Sequence, residues 1–259
     1  MTPLRLMCVL AHPDDESLGT GGTLAKYAAE GVETYVLTAT RGERGRFGDV
    51  VPKPAPEVIG TTREAELRAA TAALGVRGVE LLGYPDGGLD GVEVAAAEEA
   101  IAAHLRRVRP HVVVTFGADG AYGHPDHIAI SQLTTGAIVR AARDGAPVQK
   151  LYYIAWSGPT WAAYQAAMKK LTFMVDGVER QATPLPEWAV TTRIDTGEFW
   201  PIVWRAVQCH ATQIGIFKNL ATLPPEHHRS LWGVNEYYRV FSLVNGGRAR
   251  ETDLFEGLR

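Results

Sequence analysis

The feature that most constrains the fold is an alternation, over the first two thirds of the chain, between short apolar runs and longer segments with helical spacing. The apolar runs have strand length and lie at residues 4–10, 32–39, 79–82, 111–116 and 150–155. The segments with helical spacing lie between them, at residues 17–31, 62–74, 92–108 and 125–142. Continuously apolar strands separated by helices are typical of a parallel sheet that is covered on both faces. We therefore predict an α/β fold with a mostly parallel sheet.

Length and composition bound the domain organisation. The chain has 259 residues, near the upper limit for one domain, and 46% of them are hydrophobic, which is enough for a large core. Because no clear linker or internal repeat interrupts the sequence, residues 1–259 are expected to form a single domain. We expect its core at about residues 1–155 and a C-terminal elaboration, on the substrate side, at about residues 156–259. The elaboration is predicted to contain helices and a strand at residues 161–170, 199–211 and 236–244.

Two stretches lack this periodicity. Residues 42–60 are rich in glycine and proline and are predicted to form a long loop over the site, and residues 157–193 are mostly irregular. Loops of that length are often functional. The sequence leaves open whether residues 43–60, residues 157–200 or His210 reach the site. His227 and His228 follow two prolines and are expected in a loop.

Charge and cysteine content exclude several classes of protein. The net charge is −3 and the basic residues are scattered, so a nucleic-acid partner is not expected. No apolar run approaches the roughly 20 residues that span a bilayer, so a membrane location is not expected either. The first strand leads directly into the first polar block, which favours a cytoplasmic protein over one with a cleaved signal peptide. The spacing of Cys8 and Cys209 indicates neither a disulfide framework nor a cysteine-rich zinc site.

Two short polar blocks carry the chemistry. Residues 11–16 read Ala-His-Pro-Asp-Asp-Glu and residues 123–127 read Gly-His-Pro-Asp-His, and each block follows an apolar strand. Ligands of such sheets bind at the carboxyl ends of the strands, so both blocks are expected at one edge of the sheet. His12 and Asp15 lie three residues apart at a strand-to-helix turn, and His127 lies at a helix start. These three side chains are predicted to bind one metal ion.

Two imidazoles and a carboxylate leave one position open for water, which is typical of a catalytic zinc site. Zinc would lower the pKa of that water toward roughly 7, and Asp14 would accept its proton during attack on a carbonyl. A protonated His124 would stabilise the oxyanion, and Asp14 or His124 would protonate the leaving amine. Asp126 is a further candidate catalytic residue. It lies beside both histidines in the sequence and could fix the orientation of one imidazole. These metal ligands and acid–base residues together predict an enzyme that hydrolyses an amide.

The chain resembles the LmbE/PIG-L superfamily of zinc-dependent N-deacetylases. The resemblance covers about the first 140 residues and rests on six motifs in the family's order, at residues 11–16, 19–23, 38–43, 62–67, 82–87 and 123–127. It implies a Rossmann-like three-layer sandwich and the removal of acetyl from molecules that contain N-acetylglucosamine. Some members of the family instead cleave amides in thiol-cofactor metabolism or antibiotic pathways.

The resemblance also implies roles for individual residues. It assigns the metal ligands to His12, Asp15 and His127, the base to Asp14 and the residue on the oxyanion side to His124. Tyr122 resembles a tyrosine that reaches the substrate carbonyl, and Arg63 resembles a residue that contacts the polar head of the substrate. Arg41, in the loop after the second strand, is a further candidate for substrate binding.

The resulting hypothesis is a zinc-dependent enzyme that removes acetyl from a small amino-sugar derivative. An amidase for a thiol conjugate or an antibiotic intermediate would use the same chemistry. A mononuclear iron oxygenase is an alternative of another class, since two histidines and a carboxylate also bind iron and Fe²⁺ could replace zinc. Those enzymes usually carry the histidine and the acid two residues apart on a β-barrel, whereas the spacing here is three. A non-catalytic binding module is the last alternative, but it would not need Asp14 beside the metal ligands. The oligomeric state is a separate question, and the sequence is compatible with a homo-oligomer.

Overall fold

A computed structural model describes residues 3–168, 172–175, 177–215 and 220–259. Within them, seven strands form one sheet in the order β3-β2-β1-β4-β5-β9-β8, and β6 and β7 form a separate hairpin. The first five strands pair in parallel, and β9 and β8 continue the sheet in antiparallel orientation. The strands are β1 (Arg5–Leu10), β2 (Glu33–Thr40), β3 (Gly78–Tyr84), β4 (Val112–Thr115), β5 (Lys150–Ala155), β6 (Thr172–Val175), β7 (Val178–Gln181), β8 (Thr192–Asp195) and β9 (Val234–Ser242).

Helices cover both faces of the sheet. Helices α1, α2 and α7 pack together on one face, and α3 packs on α5 on the other. The helices are α1 (Asp15–Ala29), α2 (Pro56–Ala73), α3 (Val94–Val108), the short turn α4 (Gly120–Gly123), α5 (Pro125–Arg143), α6 (Gly158–Met168), α7 (Trp200–Cys209) and α8 (Pro225–Trp232). The prediction of an α/β fold with a mostly parallel sheet is thereby confirmed. No helix in the part of the chain that the structure describes is long and apolar enough to cross a membrane.

The strand order reverses between β1 and β4. From β1 the chain proceeds outward through β2 and β3, then returns to place β4 on the other side of β1. At such a switch point the two loops that follow the strands diverge to opposite faces and leave a crevice. The His12 block follows β1 and the His127 block follows β4, so both polar blocks border this crevice.

Three predictions about helices need correction. Helix α2 begins at Pro56 rather than at residue 62, because Pro56 occupies the first turn, where its missing N–H costs nothing and its fixed φ suits a helix. The predicted loop over the site therefore ends before residue 56. His227 and His228 lie in α8 and not in a loop, since Pro225 likewise starts a helix. The helix predicted at residues 161–170 begins at Gly158, and residues 169 and 170 lie outside the described residues.

A buried carboxylate joins the C-terminal segment to the sheet. Glu251 is fully buried, and its Oε1 accepts hydrogen bonds from Lys150 Nζ at 2.7 Å and Arg239 Nη1 at 2.8 Å. Its Oε2 accepts hydrogen bonds from Tyr152 and Thr192 at 2.7 and 2.9 Å. Burial alone would raise the pKa of Glu251, but hydrogen bonds from Asn245, Lys150, Tyr152 and Thr192 together outweigh burial and lower it from 4.5 to about 2.

Glu251→Gln is expected to reduce the free energy of unfolding at pH 7 by about 3 kcal/mol, because it leaves buried cations without their counter-charge. Since the pKa is lower in the folded state, the carboxylate stabilises the fold fully above about pH 4.5 and loses this effect as the pH falls toward 2. Urea unfolding at pH 7 and at pH 3.5 should therefore show a smaller difference between wild type and variant at the lower pH. Equal urea midpoints at pH 7 would contradict this assignment.

Candidate metal centre and catalytic site

The turn between β1 and α1 directs three polar side chains to the crevice. Asp15 is the first residue of α1, and its Oδ2 accepts hydrogen bonds from the backbone N–H groups of His12 at 2.7 Å and Ala11 at 3.2 Å. Asp14, just before the helix, has φ = 114° and ψ = −24°. Positive φ in a residue other than glycine costs about 1–3 kcal/mol and is concentrated at functional sites. The turn thus holds Asp14 and Asp15 in different directions.

The turn between β4 and α5 supplies the second half of the site. His124 caps the N-terminus of α5, because its Nδ1 accepts a hydrogen bond from the backbone N–H of Asp126 at 3.1 Å. Pro125 is the first residue of α5, and His127 is its third residue, in the first turn. The His127 ring is buried and stacks on Phe116 with the ring centroids 3.8 Å apart. This packing fixes the direction of the imidazole.

The three predicted metal ligands converge. His12 Nδ1 lies 3.2 Å from His127 Nε2 and 3.7 Å from Asp15 Oδ2, and His127 Nε2 lies 3.5 Å from Asp15 Oδ1. Ligand atoms about 2.0–2.1 Å from a tetrahedral zinc ion are about 3.4 Å from one another. The separations match that spacing, so the three side chains can hold one ion with little movement.

The outer nitrogens of both histidines are held by hydrogen-bond acceptors. His12 Nε2 donates toward Asp126 Oδ2 at 3.0 Å and lies 3.2 Å from Asp86 Oδ1. His127 Nδ1 donates to the carbonyl of Gly120 at 3.2 Å. Because carboxylate and carbonyl oxygens only accept, the remaining nitrogen of each neutral ring carries a lone pair toward the centre. Such outer acceptors are typical of histidines that bind metal.

Asp126 is placed to orient His12. Its side chain is fully buried, and its two oxygens accept hydrogen bonds from the backbone N–H groups of Gly87 at 2.7 Å and Leu89 at 3.0 Å. His12, His124 and Asp126 also form a cluster that could hold an ion. The oxygens of Asp126 are already occupied, however, so the cluster of His12, Asp15 and His127 is the better metal site.

The charges within the cluster favour a bound cation. Burial lowers the pKa of His12, but hydrogen bonds to Asp126 and Asp86 outweigh it and raise the pKa to about 10. Burial raises the pKa of Asp15 to about 7 and lowers that of His127 well below 6.5. A divalent cation at the centre would take the place of a proton on His12 and would use the lone pairs of both facing nitrogens.

The surroundings of His124 disfavour the protonated form that the sequence analysis expects. Burial and the charge of nearby His12 lower the pKa of His124 to about 4. A proton on Nδ1 would also break the cap bond to the Asp126 N–H, and the positive end of the α5 dipole disfavours a cation there. In the neutral form that these contacts favour, His124 accepts at Nδ1 and offers its Nε2–H as a donor. Its ring lies 4.8 Å from the rings of both His12 and His127.

Arg63 holds Asp14 in place. Its Nη2 donates to Asp14 Oδ2 at 3.1 Å and to the carbonyl of Pro13, and its Nη1 donates to the carbonyl of Gly42 at 2.8 Å. Gly42 has φ = 62°, and a Cβ atom there would displace the guanidinium of Arg63, so glycine is favoured at this position. An arginine on a helix face often forms an ion pair with an acidic residue three positions along, which here is Glu66. Glu66 instead accepts hydrogen bonds from Thr212. Burial raises the pKa of Asp14, whereas the charge of Arg63 lowers it.

The cluster opens into a cavity of about 790 Å³. Its lining includes the cations Arg44, Arg46 and Lys53. It also includes a set of apolar and aromatic side chains, Leu18, Phe116, Ile154, Trp156, Trp161 and Tyr164. Residues from both stretches that the sequence left open, 43–60 and 157–200, therefore reach the site. Asp14, His124 and Tyr122 also line the cavity.

Among the three predicted substrate-binding residues, Arg41 is the one that does not line the cavity. Its guanidinium donates to Glu57 and Thr61, each at 2.9 Å, and lies 3.4 Å from Glu64, all on α2. These contacts direct the side chain along the helix. Arg44 and Arg46, from the same loop, take the places on the cavity wall.

Sequence reasoning missed Asp86. Its carboxylate lies 3.2 Å from His12 Nε2, accepts a hydrogen bond from the backbone N–H of Arg44 at 2.8 Å and lines the cavity. Burial alone would raise its pKa, but the hydrogen bond and charge of His12, the Arg44 N–H and the charge of Arg63 together outweigh burial and lower the pKa to about 2. A signal was present, since Asp86 follows β3 at the same edge of the sheet as the two polar blocks.

Fold and site together define an α/β protein with a candidate metal centre at the switch point of its sheet. Comparison with known families identifies it further: residues 7–138 match the model of PIG-L, GlcNAc-PI de-N-acetylase. The chain belongs to this PIG-L (LmbE-like) family.

Relatives and solved structures agree with that assignment. The 1D-myo-inositol 2-acetamido-2-deoxy-alpha-D-glucopyranoside deacetylase of Thermobifida fusca is 36% identical over 98% of this chain and 100% of its own length. The crystal structure of the conserved protein TT1542 from Thermus thermophilus is 27% identical, with a TM-score of 0.63 over 94% of this chain and 97% of that chain.

A further likeness shows the fold alone. GalB, the 4-carboxy-2-hydroxymuconate hydratase of Pseudomonas putida KT2440, is 21% identical, with a TM-score of 0.68 over 95% of this chain and 100% of that chain. The fold therefore does not by itself specify amide hydrolysis. At the level of the family and its relatives, the predictions of LmbE/PIG-L membership and of an N-deacetylase, an amide hydrolase, are confirmed.

Proposed function

We propose that this chain is a zinc-dependent deacetylase that removes acetyl from an N-acetylglucosaminyl-type small molecule. The observation that carries the proposal is the convergence of His12, Asp15 and His127 at tetrahedral spacing beside Asp14, whose side chain is 17% exposed to the cavity. Water adds to the amide carbonyl, the C–N bond breaks, and acetate and a free amine leave.

Each residue at the centre has a role that follows from its surroundings. Asp14 accepts the proton of the attacking water, because Arg63 holds its carboxylate at the cavity, whereas the carboxylate of Asp86, which also lines the cavity, is engaged by His12. His124 donates its Nε2–H to the developing oxyanion, and Asp14 then passes its proton to the leaving amine. Asp126 and Asp86 hold His12 in the tautomer that faces the centre. An ion bound there supplies Lewis-acid chemistry, making the carbonyl more electrophilic and the water more acidic.

The cavity suits a small glycoside. Its volume lies within the range of about 300–1,000 Å³ that is common for small-molecule sites. Tyr122, whose ring lies 5.3 Å from that of His127, is placed to donate its hydroxyl to the substrate carbonyl. Burial raises the pKa of Tyr122 well above 10, so the hydroxyl stays protonated. Trp156 is half-buried on the cavity wall and offers a face for a sugar ring.

The similarity to known deacetylases supports a more specific proposal for the substrate. Because the Thermobifida fusca protein matches along its whole length, we propose a glycoside in which N-acetylglucosamine is linked to inositol. An amidase for a thiol conjugate remains the second candidate, since the aromatic part of the cavity lining would also accept a bulkier amide.

We further propose that zinc rather than iron occupies the site. We also propose that residues 1–259 form one domain, because β8 and β9 complete the sheet begun by the N-terminal strands.

The test is an assay of acetate and amine release by the zinc-loaded protein. The substrates are the N-acetylglucosaminyl inositol glycoside, free N-acetylglucosamine and an amide of a thiol conjugate. We expect equimolar acetate and amine from the glycoside, with kcat/KM at least tenfold above that for the other two. Hydrolysis of the thiol conjugate alone would favour the amidase, and the absence of acetate release from every substrate would refute the proposal.

A further inference from the structure

We infer that His210, in the C-terminal elaboration, is a positioning residue that holds the backbone of Asp14 through Glu16. The inference rests on the proposed function only in its kinetic consequence, since Asp14 is the base of that function. Its structural content concerns a chain of contacts from α7 to the turn between β1 and α1.

The chain of contacts begins at Glu16. This side chain is fully buried, and its Oε2 accepts a hydrogen bond from the backbone N–H of Asp14 at 3.0 Å. That bond joins a carboxylate to the residue with φ = 114°, a conformation that the local sequence does not favour because Asp14 is not glycine. Glu16 therefore stabilises the turn that directs Asp14 into the cavity.

His210 in turn fixes Glu16. Its Nε2 donates to Glu16 Oε1 at 2.7 Å, and Ser17 Oγ donates to the same oxygen at 2.5 Å. His210 Nδ1 has no hydrogen-bond partner among the described residues, so the polar contacts of the ring are directed to Glu16 and Ser17. A buried carboxylate keeps its position only while its oxygens remain paired.

The elaboration is anchored on both sides of His210. His210 follows the last residue of α7, which packs on α1 and α2. Two residues on, the N–H and hydroxyl of Thr212 donate to Glu66 at 2.8 and 2.7 Å, and Gln213 Nε2 donates to the carbonyl of Arg46 at 2.8 Å. These bonds hold the imidazole against Glu16 and connect the C-terminal part of the chain to the catalytic turn.

Removal of the His210 side chain should therefore displace Asp14 while leaving the contacts to the substrate and to the metal ion unchanged. His210→Ala is expected to lower kcat about 10- to 100-fold, since a displacement of about 1 Å in a reacting group has an effect of that size. KM and the zinc content should stay within twofold of wild type, because the ligands and the cavity wall are unchanged. His210→Gln places an amide N–H near the position of Nε2 and should restore most of the rate.

The experiment measures kcat, KM, zinc content and thermal midpoint for His210→Ala, His210→Gln and the control His228→Ala. His228 is also a buried histidine of the elaboration, but it packs among Trp200, Trp204 and Trp232. The control should lower the thermal midpoint while leaving kcat unchanged at a temperature where all proteins are folded. Unchanged kcat in His210→Ala, in a wild type that does hydrolyse the substrate, would overturn the inference.

A double-variant comparison separates positioning from general destabilisation. In an Asp14→Asn background, His210→Ala should lower kcat by less than twofold, because the group through which it acts is already gone. A further tenfold loss there would overturn the inference. If His210→Ala does not fold, Glu16→Gln replaces it, with the same expected loss of kcat and the same outcome that contradicts it.

Crystal structures provide a readout independent of activity. In His210→Ala the φ angle of Asp14 should leave the positive region or its carboxylate should shift, whereas His228→Ala should retain φ near 114°. An unchanged Asp14 in His210→Ala would overturn the inference even if the wild type proved inactive and the proposed function had failed.

Discussion

Asp14→Asn is expected to lower kcat by about 10²–10⁴-fold, the usual contribution of a general base, while zinc binding stays at the wild-type level. Asparagine is the informative replacement because it tolerates positive φ better than alanine does, so the strained turn at φ = 114° can persist. It also keeps an oxygen for Arg63. What is removed is the capacity to accept a proton. Steady-state kinetics on the glycoside and elemental analysis of the same preparation measure the two quantities.

Asp90→Asn is the matched control, since Asp90 is exposed in the short 3₁₀ turn before α3 and lies away from the cavity. It should behave as wild type. An Asp14→Asn protein with more than a third of the wild-type kcat would exclude Asp14 as the base. A variant that lost its zinc as well would show that Asp14 belongs to the ligand set.

His127→Ala is expected to abolish stoichiometric zinc binding and to lower kcat by about 10³-fold or more, because the Lewis acid contributes several kcal/mol to the reaction. Removing the buried ring leaves two of the three donors, and Asp15 and His12 alone do not enclose an ion. Elemental analysis after dialysis against metal-free buffer measures the first effect, and acetate release measures the second. Wild-type protein treated with a chelator should show the same loss and recover on addition of zinc.

The control here is His227→Ala, because His227 is an exposed histidine on α8. It should retain both zinc and activity. If His127→Ala kept one tightly bound zinc per chain, the ion would have to lie elsewhere. If it lost zinc but kept its rate, the chemistry would not depend on the ion.

The sequence predicted the fold and the core of the site because both depend on local patterns. Continuous apolar runs between helical segments specify a parallel sheet, and in such a sheet the residues that follow the strands are brought to one edge. His12, Asp15 and His127 follow β1 and β4, the two strands that flank the switch point. Their convergence therefore follows from strand order, although the blocks are far apart in the sequence.

The remaining features depend on contacts between distant segments, which periodicity does not report. The sequence alone placed Arg41 at the substrate, whereas three side chains of α2 hold it away. The sequence also predicts a protonated His124, whereas the cap bond from the Asp126 N–H and the helix dipole favour the neutral ring. The pairing of Glu16 with His210 joins residues 194 positions apart, and no spacing rule could have found it.

The most direct test of the account is a crystal structure of the zinc-loaded protein with anomalous data collected at the zinc edge. We expect one strong peak, about 2.0–2.2 Å from His12 Nδ1, a carboxylate oxygen of Asp15 and His127 Nε2, with an open position toward the cavity and Asp14 beside it. A peak coordinated by any other set of side chains would contradict the account. So would the absence of a peak in crystals of protein that still releases acetate.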